Sequence, residues 1–144
     1  MTLFRPPCLP KGPSPKVEPS VEDPWAHPEP WQKDPLGYVR RKAEALPLGV
    51  RGAWLLGVAS GFLWPEAPPP MDLSAFFRRL EGAWRESEAY FLETGLDFPL
   101  LVSEWARKAL EPLLYRKRKP PYPRLRQAFA EGSRLGQALR ARQP

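Results

Sequence analysis

LGVRGAWLLGVASGFLW, residues 48–64, is the most apolar stretch of the chain, and the fold turns on how it is read. Gly49, Ala53, Gly57 and Gly61 recur every four residues, and Val50, Trp54, Val58 and Phe62 follow one position behind. On a helix the two series become adjacent stripes, one small and one bulky. The small stripe admits a neighbouring backbone and the bulky one fills a core. This predicts a central, buried helix even though glycines lower intrinsic helicity. Two other readings of these glycines fail. Arg51 interrupts a segment already short for a bilayer span, and no Gly-Lys-Ser or Gly-Lys-Thr follows to make a phosphate loop.

The segments on either side carry helical periodicity of their own. In residues 34–46 Asp34 is placed to cap, Pro35 occupies the first helical position, and Leu36, Val39, Ala43 and Leu46 face inward before Pro47 ends the helix. PEAPPP, residues 65–70, is a stiff connector. Residues 71–95 form the strongest helical pattern, with Asp72 capping and Gly95 closing. Leu73, Phe77, Leu80, Trp84 and Phe91 make its apolar stripe, which Phe76 and Tyr90 widen. The helical spacing of these aromatics, together with Trp105, predicts core packing ahead of any stacking or cofactor role.

In the following segment Asp97 and Pro99 mark a helix start, with Leu101, Val102, Trp105, Ala109 and Leu113 inward and a kink expected at Pro112. Residues 124–142 make a last helix with Leu125, Phe129, Leu135 and Leu139 inward; Gly132 and Gly136, one turn apart, invite close packing. The predicted architecture is all-α: a small helical bundle of four main helices plus a short first helix, spanning residues 35–144. Composition agrees, for the chain has no Ile or Asn, two Thr and six Val, which starves strands and feeds helices. The same absences fit a thermophilic bacterial or phage source.

Residues 1–34 follow a different rule. Ten of the 21 prolines fall within the first 35 residues, so this leader is expected to be extended or disordered, not helical. Phe4, Trp25 and Trp31 are spaced along it as anchors that a partner protein's groove would accept.

The net charge of +6 is concentrated in one place. Residues 116–126 carry Arg116, Lys117, Arg118, Lys119, Arg124 and Arg126 with no acid, leaving the rest of the chain neutral in sum. Prolines at 120, 121 and 123 brace this basic interhelix corner, and Tyr122 sits within it as a stacking candidate. Arg134, Arg140 and Arg142 broaden the field without sharing one helix face. Cations in such density suit successive phosphates. Zinc-finger spacing, heptads after the basic run and a recognition-helix pair are all missing, which favours backbone or shape recognition over base reading.

Catalytic and metal chemistry have little footing. His27 is the single histidine and Cys8 the single cysteine, both in the leader, so no intrachain disulfide is possible and no Cys/His metal-ligand spacing exists. Glu81, Glu86, Glu88 and Glu93 lack the Glu-x-x-His companion of bundle metal sites and read as solvated helix charges. No catalytic residue, metal site or cofactor is expected. The N-terminus shows no secretory pattern and no apolar run reaches a membrane span, so a cytoplasmic protein without a membrane partner is expected.

The expected role is that of a non-catalytic accessory subunit of a nucleoprotein assembly. Nucleic-acid backbone would be met by Arg116, Lys117, Arg118, Lys119, Tyr122, Arg124, Arg126 and Arg134, and a larger protein by the leader's Phe4, Trp25 and Trp31. The alternative is a small bacterial or phage regulatory adaptor that binds a large enzyme through the same leader and basic surface.

Overall fold

The computed structural model describes residues 33–114 and 121–142. They form a small all-α bundle of five helices: α1 Pro35–Ala45, α2 Leu48–Leu63, α3 Leu73–Thr94, α4 Phe98–Leu114 and α5 Tyr122–Ala141. The leader through residue 32, with Phe4, Cys8, Trp25, His27 and Trp31, lies outside the described residues, as do residues 115–120.

Helix starts and stops follow their local chemistry. The Asp34 carboxylate accepts from the Gly37 N–H at 3.0 Å and the Asp72 carboxylate from the Ala75 N–H at 2.8 Å, each satisfying a first-turn donor that the helix cannot. Gly95 ends α3 in the left-handed region at φ 76°, where a side chain would be strained. Arg51, at the start of α2, donates to the carbonyl oxygens of Glu44 and Leu46 at 3.1 and 3.0 Å, closing the end of α1 with a side chain from the next helix. Pro112 is accommodated inside α4, which continues to Leu114, so the chain does not break into two helices there.

Helix α2 is the axis of the bundle, buried from Gly52 to Leu63. It lies parallel to α5, and the two backbones touch. A Cβ built on Gly57 would stand 2.1 Å from the Phe129 carbonyl oxygen, and one on Gly61 2.2 Å from that of Ser133. In return, a Cβ on Gly132 or Gly136 would stand 2.1 Å from the carbonyl oxygens of Trp54 and Val58. Both small stripes read in the sequence meet here, and the Cα–H groups lie against carbonyls. A third close approach had no reading from sequence: Gly52 faces Leu110 and Ala109 of α4, with Leu110 Cγ 2.6 Å from a built Cβ.

Most inward positions match expectation. Val39 and Ala43 of α1 are buried, as are Leu125, Phe129, Leu135 and Leu139 of α5. Helix α3 corrects the expected stripe. Its fully buried line is Phe76, Ala83 and Ser87, whereas Leu73, Phe77, Leu80, Trp84 and Tyr90 are only partly covered and Phe91 is 39% exposed. The rotation follows from the α3–α4 contact, where buried Ser87 donates to the Pro99 carbonyl at 3.1 Å and lies 3.0 Å from the Ser103 hydroxyl. With its one proton on Pro99, Ser87 accepts from Ser103. Helix α4 is turned likewise: Phe98, Val102, Ala106, Leu110 and Leu113 are buried, and Leu101, Trp105 and Ala109 half-buried. Among the described residues no helix is long and apolar enough to cross a membrane.

Candidate nucleic-acid interface

The basic run, residues 116–126, falls in the sequence between the end of α4 at Leu114 and the first turn of α5. Arg116, Lys117, Arg118 and Lys119 fall outside the described residues; Tyr122, Arg124, Arg126 and Arg134 lie within them. Leu125 is fully buried and anchors the first turn of α5. Tyr122 is half-buried. Its hydroxyl donates to the carbonyl of Pro70 in the connector before α3, and its ring meets Phe76 edge to face at 6.3 Å and 76°. With its hydroxyl and ring both engaged, Tyr122 holds the start of α5 against the connector.

Burial raises the Tyr122 phenol pKa above its ordinary value; Arg126 opposes the shift, Asp72 adds to it, and Arg79 opposes it. The phenol therefore stays a neutral donor at neutral pH.

Arg124 and Arg126 are exposed on either side of Leu125. Two residues apart on a helix, they point about 200° apart and flank the helix start from both sides. Arg124 borders a small crevice with Gln127, Glu131 and the α1–α2 turn at Leu46 and Pro47. Arg134 is exposed but lies about 12 Å further along the axis than Arg126, so it extends the basic surface along α5 instead of joining the corner.

Two arginines have been taken into the fold. Arg140 donates to the Phe62 carbonyl at 2.6 Å, with its guanidinium 5.4 and 5.3 Å from the Phe62 and Tyr90 ring centroids. It closes the end of the bundle opposite the corner. Arg79 bonds the Ser60 hydroxyl and the Pro68 carbonyl at 2.9 Å each and lies 5.8 Å from both the Trp64 and Phe129 rings. Its desolvation lowers its pKa, against the Tyr122 interaction, while leaving it charged at any neutral pH.

No protein-family model, curated protein or solved structure matches this chain.

A second concave surface went unforeseen. Between α3 and α4 runs a groove of about 540 Å³ with Phe77, Leu80 and Trp84 on one wall and Arg107 and Leu110 on the other. The sequence assigns its aromatics to the core, and helical periodicity does place them near it. A stripe wider than the neighbouring helix can cover leaves its flank open, and Arg78 and Arg85, seven residues apart on that flank, were the available signal. Among the described residues no group of three or more His, Cys, Asp or Glu side chains is arranged to hold a metal ion.

Proposed function

We propose that the protein is a non-catalytic accessory subunit of a nucleoprotein assembly that grips phosphate backbone with its basic corner. The observation that carries this reading is the bracing of α5. Buried Leu125 and the Tyr122 contacts to Pro70 and Phe76 fix the helix start, so Arg124 and Arg126 emerge exposed, five and seven residues after the last cation of the run Arg116, Lys117, Arg118 and Lys119. Pre-positioned cations lose less side-chain and backbone freedom on meeting phosphates than cations on an unbraced loop would. The positive end of the α5 macrodipole adds to the same field. Tyr122 serves here as the brace, Arg134 as a flanking contact, and Phe4, Trp25 and Trp31 as the leader's anchors for the larger protein.

Binding of labelled single-stranded DNA, duplex DNA and RNA across a salt series tests this. If four to six phosphates are met, affinity falls about tenfold or more for a modest rise in salt. Replacing Arg116, Lys117, Arg118 and Lys119 by Gln should lower affinity at fixed salt and flatten the dependence. Affinity and slope that survive the replacement remove the phosphate reading. A stoichiometric protein captured from the host after nuclease treatment, and lost on the same replacement, would establish the adaptor in its place.

A further inference from the structure

The α3–α4 groove has an apolar floor and a cationic rim. Arg78, Arg85 and Arg107 are exposed along it, against Glu81 and Glu111. Among the described residues none of the three arginines is in an ion pair; Arg78 donates to the Ser74 hydroxyl at 2.8 Å, and Arg107 lies 5.1 Å from the Trp84 ring centroid. Aromatic walls with unpaired guanidinium groups call for an occupant that is extended, aromatic and acidic.

The chain carries such a segment. VEPSVEDPWAHPEPWQ, residues 17–32, holds Glu18, Glu22, Asp23 and Glu29 without a single Lys or Arg, and sets Trp25 and Trp31 among four prolines. Proline restricts the unbound segment, so less conformational freedom is lost when it docks. The tether also reaches. The described chain begins at Lys33, just before α1, and α1 shares a crevice with Trp105, Lys108 and Ala109 of α4. Arg107, Leu110 and Glu111, which face the groove, lie on the opposite side of α4 at 100° per residue. Half the circumference of a helix about 11 Å across is roughly 17 Å, and the rise along α1 from Lys33 to Arg40 at that crevice adds up to about 10 Å. The eight residues from Trp25 to Lys33 extend to about 26 Å and the fifteen from Glu18 to about 50 Å, whereas Trp31, two residues from Lys33, stays short of the groove.

We propose that residues 17–25 dock in the α3–α4 groove of their own chain. Trp25 takes the apolar floor, and Glu18, Glu22 and Asp23 meet Arg78, Arg85 and Arg107. Tethering places the segment at an effective concentration in about the millimolar range, so even weak pairing is populated. A protein that binds Trp25 must then displace it, and the groove sets the threshold for that exchange.

The test uses the full chain with Cys8→Ser, which frees it of native thiols. Ala26→Cys is combined with Glu81→Cys on the groove wall or, as a control, with Gln127→Cys on α5; Glu81 and Gln127 are both exposed, and circular dichroism confirms helix content. Under mild oxidation the intramolecular disulfide to position 81 should form at least tenfold faster than that to position 127. Adding Trp25→Ala should bring the faster rate down to the control. Equal rates at the two sites, or a fast rate indifferent to Trp25, would overturn the proposal. So would a cross-link that appears only between two chains, which would assign the groove to a second copy's leader.

Discussion

The α2–α5 and α3–α4 pairs solve the same packing problem in opposite ways. In the first, side chains are missing and backbones meet: Gly57 and Gly61 lie under the Phe129 and Ser133 carbonyls, while Gly132 and Gly136 lie under those of Trp54 and Val58. In the second, side chains mediate the contact, with the Ser87–Ser103 pair at its centre and Arg107 over Trp84 at its edge. An interface made by absence has nothing that can rotate away, so it is brittle and closed. One made by side chains is tolerant, and it leaves a groove open to solvent. The surfaces available for binding lie beside the second pair or at the end of the first, never along the glycine contact.

The brittle side predicts the largest effect. A Cβ at position 136 would stand 2.1 Å from the Val58 carbonyl, and only movement of a backbone could relieve it. Gly136→Val should cost more than about 4 kcal/mol, much of the stability of a domain this size, and circular dichroism should report lost cooperative unfolding. Gly52→Ala sharpens the contrast, because its nearest neighbours are side-chain atoms of Leu110 that can shift. That variant should stay folded and lose about 1–2 kcal/mol in a urea titration. Equal losses at the two sites would mean that backbone contact does not set the difference.

The same contrast explains which parts of the fold are legible in the sequence. Glycines at intervals of four in residues 48–64 and at 132 and 136 announce a backbone contact directly, since few other features place small residues in that register. The caps at Asp34, Asp72 and Gly95 are equally local and came through intact. The orientation of α3 did not. Phe76, Phe77, Trp84, Tyr90 and Phe91 allow two neighbouring stripes, and the choice between them rests on Ser87, a residue that periodicity counts as outward. The contacts of Arg79 and Arg140 are illegible for a related reason: each is satisfied by carbonyls and rings from distant parts of the chain. The groove was not legible either, because it needs two helices brought side by side.

On the tolerant side, Ser87→Ala removes the second donor to the Pro99 carbonyl, which keeps its helix bond within α4, and leaves the Ser103 hydroxyl without its acceptor in a buried setting. A cost of about 1–3 kcal/mol is expected, from the lost hydrogen bonds and the desolvation of the unpaired hydroxyl. Replacing Ser103 by Ala as well removes one orphan, so the double variant should lose less than the sum of the single ones. A double-mutant cycle on urea midpoints measures that difference, and strict additivity would show that the two hydroxyls do not act as a pair.

The smallest effect expected is at the joint between the two pairs, where Tyr122 at the start of α5 ties to Pro70 ahead of α3. Tyr122→Phe keeps the ring against Phe76 and removes the hydrogen bond, for about 1 kcal/mol at pH 7. The pH dependence separates the bond from simple packing. Burial raises the phenol pKa in the folded chain, with Arg126 opposing, Asp72 adding and Arg79 opposing, whereas the unfolded chain titrates near the ordinary value of about 10. Below that value both states hold the proton and the contribution of Tyr122 is fully present. As pH rises past it, the unfolded state gives up its proton first and is stabilised, so Tyr122's contribution is lost as pH rises through its folded-state pKa. The variant should therefore be less stable than the parent at pH 7 and close the gap at pH 10.5, as urea midpoints taken at both values would show. A gap that stays constant would mean that the hydroxyl at position 122 reaches water, and that the brace on the basic corner is the ring alone.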